Sequence, residues 1–168
     1  MRQENFFDLV KQNFEYLLKE YGYSITTSNL SSDILDYGIV EYRTNKAIIS
    51  IQLDRNDVII ILGPINEPEI VWLSIENVVN YLNFINNESF IDLCNDFDNN
   101  TEFRMKTRIS KCAKVLKDSC QNFLIGDFSQ WPEICKFTLK NIKDIYFAKT
   151  GEPLPLLKFE EYIIKNYN

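Results

Sequence analysis

The stretch YGIVEYRTNKAIISIQLDRNDVIIILG, running from Tyr37 to Gly63, decides the architecture. Its first part sets Ile39, Glu41 and Arg43 on one side and Val40 and Tyr42 on the other, the period-two pattern of a half-buried strand. Asn45 turns the chain. From Lys46 to Asp54, Ala47, Ile49, Ile51 and Leu53 alternate with Ile48, Ser50 and Gln52, and Arg55-Asn56 then turns into Val58-Ile59-Ile60-Ile61-Leu62. Connections this short join only antiparallel neighbours, so three consecutive strands of one sheet are expected. The last strand is apolar at every position from Val58 to Leu62, which predicts a central place or cover on both faces. Gly63-Pro64 and Pro68 end the sheet.

Working outward, Phe6, Phe7, Val10, Phe14, Leu17, Leu18 and Tyr21 recur at helical spacing, predicting one helix from Gln3 to Tyr21 stopped by Gly22. Tyr23 to Thr27 suits a further strand, followed by a polar loop from Ser28 to Asp36. Beyond the sheet, Ser74 caps a helix to Phe84 with Val78, Leu82 and Ile85 inward, and a short helix is expected over 90–97. The longest helix, from Glu102 to Ile125, carries Met105, Ile109, Cys112, Leu116, Cys120 and Phe123 on one stripe. Gly126 stops it, and Pro132 opens a second long helix from Gln130 to Lys149, with Trp131, Ile134, Cys135, Ile142, Ile145 and Tyr146 inward. These two are expected to form an antiparallel hairpin, followed by a short helix from Phe159 to Tyr167. The fold class is therefore α+β, a single domain over 1–168. Residues 1–72 supply a helix packed on an antiparallel sheet of about four strands, and 73–168 a helical half.

The chain has no histidine, the side chain best suited to proton transfer near neutrality and the commonest metal ligand. There is no G-x-S-x-G elbow, no S-x-x-K and no glycine-rich phosphate loop. Cys94, Cys112, Cys120 and Cys135 show no C-x-x-C spacing and suit reduced core thiols. Asp96, Asp98, Asn100 and Glu102 alternate as in a calcium loop, but Thr101 stands where that loop needs Gly and Thr107 where it needs Glu. The expectation is no catalytic residue, no metal and no cofactor. The charged N-terminus lacks the apolar run of a signal peptide and no apolar run crosses a bilayer, so a cytoplasmic location is expected.

Charge is uneven. Residues 1–100 hold six basic and sixteen acidic side chains, and 101–168 hold twelve and eight. Asp54, Asp57, Glu67 and Glu69, with Asp33, Asp36, Glu41 and Glu76 nearby in sequence, suggest an acidic patch near one end of the sheet. Such a patch steers encounter with a basic protein and repels nucleic acid and anionic lipid. Arg104, Arg108 and Lys111 fall on the edge of the long helix opposite its apolar stripe, where a solvated row or pairing with the acidic half is expected. No aromatic residue interleaves with them, which argues against a nucleic-acid surface.

Phe14-x-x-Leu17, Tyr21-Gly22-Tyr23, Val40-x-Tyr42, Ile49-x-Ile51-x-x-Asp54-Arg55 and the strand ending at Gly63-Pro64 together resemble small bacterial immunity-type proteins of polymorphic toxin systems. Leu124-Ile125-Gly126-Asp127-Phe128-Ser129-x-Trp131 is similar to a helix junction of the same proteins. The resemblance implies an α+β scaffold that neutralises a toxin by non-covalent docking, and it carries over no catalytic residue. With the charge pattern, the expected partner is a basic toxin domain, with Asp54, Asp57, Glu67 and Glu69 as contacts. Two other classes stay open: a homodimeric structural or regulatory module, and a small histidine-independent enzyme built on a carboxylate pair.

Overall fold

The computed structural model describes residues 3–30, 37–54, 57–86, 101–155 and 157–167. Strands β1 (Ser24–Leu30), β2 (Tyr37–Arg43), β3 (Ala47–Asp54), β4 (Asp57–Pro64) and β5 (Leu73–Ser74) form one antiparallel sheet in sequence order. The three strands expected from Tyr37 to Gly63 pair in register, with Val40 opposite Ile51 and Ile51 opposite Ile60. Short polar turns permit nothing but this meander.

Helices α1 (Gln3–Asn13), α2 (Glu15–Lys19), α3 (Ile75–Asn86), α4 (Thr101–Ser119), α5 (Gln121–Leu124), α6 (Trp131–Thr150) and α7 (Lys158–Asn166) complete the described elements, with a 3-10 turn over Glu69–Val71. One contiguous core joins Val40, Tyr42, Ile49, Ile51, Val58, Ile60 and Leu62 of the sheet to Phe6, Phe14 and Leu17 at the N-terminus and to Ile109, Cys112 and Leu116 of α4. Each such side chain contributes about 1.5–3 kcal/mol when fully buried, so this layer dominates stability. Trp131 is locked into it, 1% exposed, with its indole N–H donating to the Val71 carbonyl at 3.1 Å. Among the described residues no helix is long and apolar enough to cross a membrane.

Several expectations need correction. The N-terminal helix is two, broken at Phe14 (φ −107°, ψ 15°); the break re-aims the chain so that Phe14 and Leu17 are both fully buried. The long helix likewise ends at Ser119, and Cys120 (φ −112°, ψ 23°) separates it from α5, which turns Phe123 and Leu124 into the core. Strand β1 continues to Leu30, into the expected loop, with a bulge between Ile25 and Thr27. Of the two long helices, α4 packs on α1 and α3 and α6 packs on α3 and α7, so α3 is their shared neighbour. Apolar Ile142 and Ile145, expected inward, are 37% and 57% exposed. The helix is regular over 20 residues, and its buried stripe stops at Leu139. The expected helix over 90–97, the calcium-like run from Asp96 to Asn100, Cys94, Asp33 and Asp36 lie outside the described residues.

Candidate functional site

Strand alternation gives the sheet two faces, and they differ. Inward residues of β4 (Val58, Ile60 and Leu62) are each at most 1% exposed. The outward Ile59 and Ile61 are only half-buried and lie outside the core. The expectation that β4 is central or covered on both faces is thus corrected: it is the fourth strand of five, next to the two-residue β5.

Register lays out the outer face in rows. One row runs Ile39, Gln52, Ile59, and the next Glu41, Ser50, Ile61, Ser74. A third runs Arg43, Ile48, Gly63. Trp72 lies over Gly63, where any Cβ would collide with the indole, so glycine is needed at that position. The Trp72 indole N–H is fixed by the Glu67 carbonyl at 3.1 Å. The polar groups are tied to one another: the Gln52 amide donates to Ser50 Oγ at 3.1 Å, and Arg43 meets Glu41 at 3.3 Å. The outer face is thus closed at Ile48 and Ser50, 1% and 3% exposed, and half-buried at Ile39, Gln52, Ile59 and Ile61, where isoleucine methyls beside polar groups give a composition suited to packing against another protein.

The four acidic residues singled out in the sequence do not form one patch. Asp54 and Asp57 face each other across the β3–β4 hairpin, on the outer-face side of the register, with Tyr37 completing their row. Glu67 and Glu69 lie beyond the other end of β4, about 24 Å away by strand length. Their environments also differ. Glu67 is half-buried and accepts a hydrogen bond from the Tyr162 hydroxyl, pinning α7 to the loop after β4; that bond, with burial and the nearby carboxylate charge, pushes the phenol up to about 12. Glu69 and Asp54 are exposed.

Asp57 is held by Arg108, which takes the second of its two expected placements, pairing with the acidic half. Arg108 is not on a solvated row: its side chain is 15% exposed, with Nη1 at 3.3 Å from Asp57, Nη2 at 3.1 Å from Glu76 and Nε donating to the Val58 carbonyl at 2.8 Å. One guanidinium thus fastens α4 to β4 and α3, and it neutralises part of the acidic excess from within. A planar fork with several donors is the group that can do this, which lysine cannot. Similar pairing joins Lys117 to Glu20 at 2.7 Å. The expected pairing with the acidic half thus holds for Arg108, and Lys117 near the end of the same helix pairs in the same way.

A shallow cleft of about 310 Å³ opens between α6 and α7. Lys136, Lys140 and Lys143 line it above Leu139 and Ile163, and Lys143 is bridged to Glu160. Its acidic groups are Asp144 and Glu160, the second engaged by lysine, so the cleft reads as an ion-paired helix contact and not as a pair of free carboxylates. The thiols of Cys120 and Cys135 are pushed up to about 12, chiefly by burial, which suits packing and not nucleophilic attack. Among the described residues no group of three metal-ligating side chains converges.

Comparison with family models, with curated proteins and with solved structures returned no match.

Proposed function

We propose that this protein works by docking another protein on the outer face of its sheet, in the manner of an immunity protein seated on a cognate toxin domain. The observation that carries the proposal is the outward pair Ile59 and Ile61, half-buried and outside the core, in a strand whose other face is fully packed. A face needed only for solubility would carry polar residues there. Apolar groups rimmed by polar ones mark an interaction surface.

The charge of the partner follows from Asp54 and Asp57. Like charges directly opposite across a strand pair repel. Arg108 relieves Asp57 from one side, while Asp54 stays exposed. A lysine or arginine from a basic partner would complete the pair, and Glu69 offers a second exposed carboxylate beyond the other end of β4. Glu67 is withdrawn from that role because its carboxylate is spent on Tyr162. Charge here chiefly speeds encounter, and the outer face supplies the lasting contact.

The test is co-expression with a toxin domain encoded in the neighbouring reading frame. Cells carrying the wild-type chain survive, and cells carrying a folded Ile61→Lys variant die. Death with the wild-type chain overturns the immunity role. Survival with Ile61→Lys overturns the assignment of the face.

A further inference from the structure

We propose that two copies of this chain pair through β1, antiparallel and about a two-fold axis, to make one continuous ten-stranded sheet. The proposal stands apart from the docking of a foreign partner, since it uses the edge of the sheet and not its face.

The argument begins with the unequal edges of the sheet. At the β4–β5 edge, β5 pairs only with Ile61 and Leu62, and Arg108 Nε caps the Val58 carbonyl farther along β4. Helix α3 also packs against β5. At the other edge stands β1, seven residues long and paired on one side with β2; no described strand pairs with its other side. The outward N–H and C=O groups of such a strand form a template for another strand. Natural edges are blunted by charge, proline, brevity or a bulge that twists the strand away. The sequence Ser24-Ile-Thr-Thr-Ser-Asn-Leu30 has no charged residue and no proline, and it is as long as β2. Its one blunting device is the bulge between Ile25 and Thr27, beyond which Thr27 to Leu30 pair regularly with β2 and offer the template.

The occupant is a second copy because an uncharged strand is compatible with itself: an antiparallel pair places like residues about a dyad, and neither strand brings a like charge to that dyad. Closure follows from the protected opposite edge. With one usable edge per chain, growth stops at two, whereas two usable edges would give a filament. An antiparallel dyad runs perpendicular to the sheet, so the outer faces of both copies fall on the same side and merge into one broad surface.

The experiment is mass measurement by light scattering on the purified full chain across a concentration series. The expected result is a mass that rises from 19.8 kDa toward twice that value. Thr26 is the exposed residue of the bulge, next to the regular stretch, and is the position to charge. Thr26→Lys and Thr26→Glu should each weaken pairing by about ten-fold or more, since the new charges meet their own copies. Mixing the two variants should restore the doubled mass, which a merely misfolded variant cannot do. Hydrogen exchange of the wild-type chain gives an independent readout, because the outward amides of β1 should become protected as the mass rises. A single-chain mass up to roughly 1 mM overturns the proposal. So does a dimer that both charge variants leave intact, or one that Ile61→Lys disperses while they do not.

Discussion

Ile60 and Ile61 are adjacent residues of one strand with the same composition on either side, yet Ile60 is fully buried against the helices and Ile61 is half-buried on the outer face. The side facing the helices is closed by α1, α3 and α4 and carries the stability of the molecule. The opposite side holds isoleucines, Trp72 and paired polar groups; it is fully buried at Ile48 on β3 and only half-buried at Ile59 and Ile61 on β4. Identical side chains thus do different work, and what separates them is which layer the chain folds over them.

Substitutions can break this comparison. The largest effect should come from Ile60→Ala, which empties the packed side and should cost about 2–5 kcal/mol in denaturant unfolding. Ile61→Ala, the same change one residue on, should cost under about 1 kcal/mol; equal costs would show that the outer face is packed after all. Arg108→Met comes next, at about 2 kcal/mol, because it leaves the Val58 carbonyl and the half-buried Glu76 carboxylate without their donor. If the loss shrinks to nothing when Glu76→Gln is combined with it, the cost lies in the stranded charge and not in the fastening of α4.

Alkaline pH sharpens the same contrast without mutation. Burial pushes the Tyr42 phenol from 10.0 up to about 12, and Tyr16 and Tyr23 are raised in the same direction by the same cause. A raised folded value means that the folded state favours the protonated phenol. The stability this gives is whole below pH 10 and is lost as pH climbs through the folded value toward 12. Tyrosinate absorbance should therefore rise together with loss of circular dichroism; ionisation of these phenols with the fold intact would contradict their burial. Thiol reagents should likewise leave Cys112, Cys120 and Cys135 unmodified until the chain unfolds. The smallest effect on folding belongs to Ile61→Lys, within about 0.5 kcal/mol, together with loss of protection in the co-expression assay.

Much of this architecture was legible in the residues. The alternation of Val40 and Tyr42 with Glu41 and Arg43, and the brevity of Asn45 and Arg55-Asn56 as connections, specify an antiparallel meander by local geometry alone. The stripe from Met105 to Phe123 is buried as its spacing foretold, and Gly151 at φ 72° ends α6 two residues beyond the expected stop. The breaks at Phe14 and Cys120 were not legible, since neither position carries a helix-breaking residue and the local propensity is continuous. Tertiary burial overrides it at both points. The candidate site was legible only in part. Five apolar residues in a row signalled two apolar faces, but whether the second face was covered depends on where the helices land.

The sequence by itself determined the three strands from Tyr37 to Gly63 and which of their residues share a face, because period-two alternation and short turns are local constraints. Strand β5 and the extension of β1 to Leu30 came only with the fold. The sequence also determined the acidic excess of the first hundred residues. Only the tertiary structure decided what those features mean. It placed the helices over Ile60 and away from Ile61, parted Asp54 and Asp57 from Glu67 and Glu69, and drew Arg108 inward to Asp57 and Glu76. Packing and ion pairing between distant segments depend on the position of each element in space, which no local spacing of residues encodes.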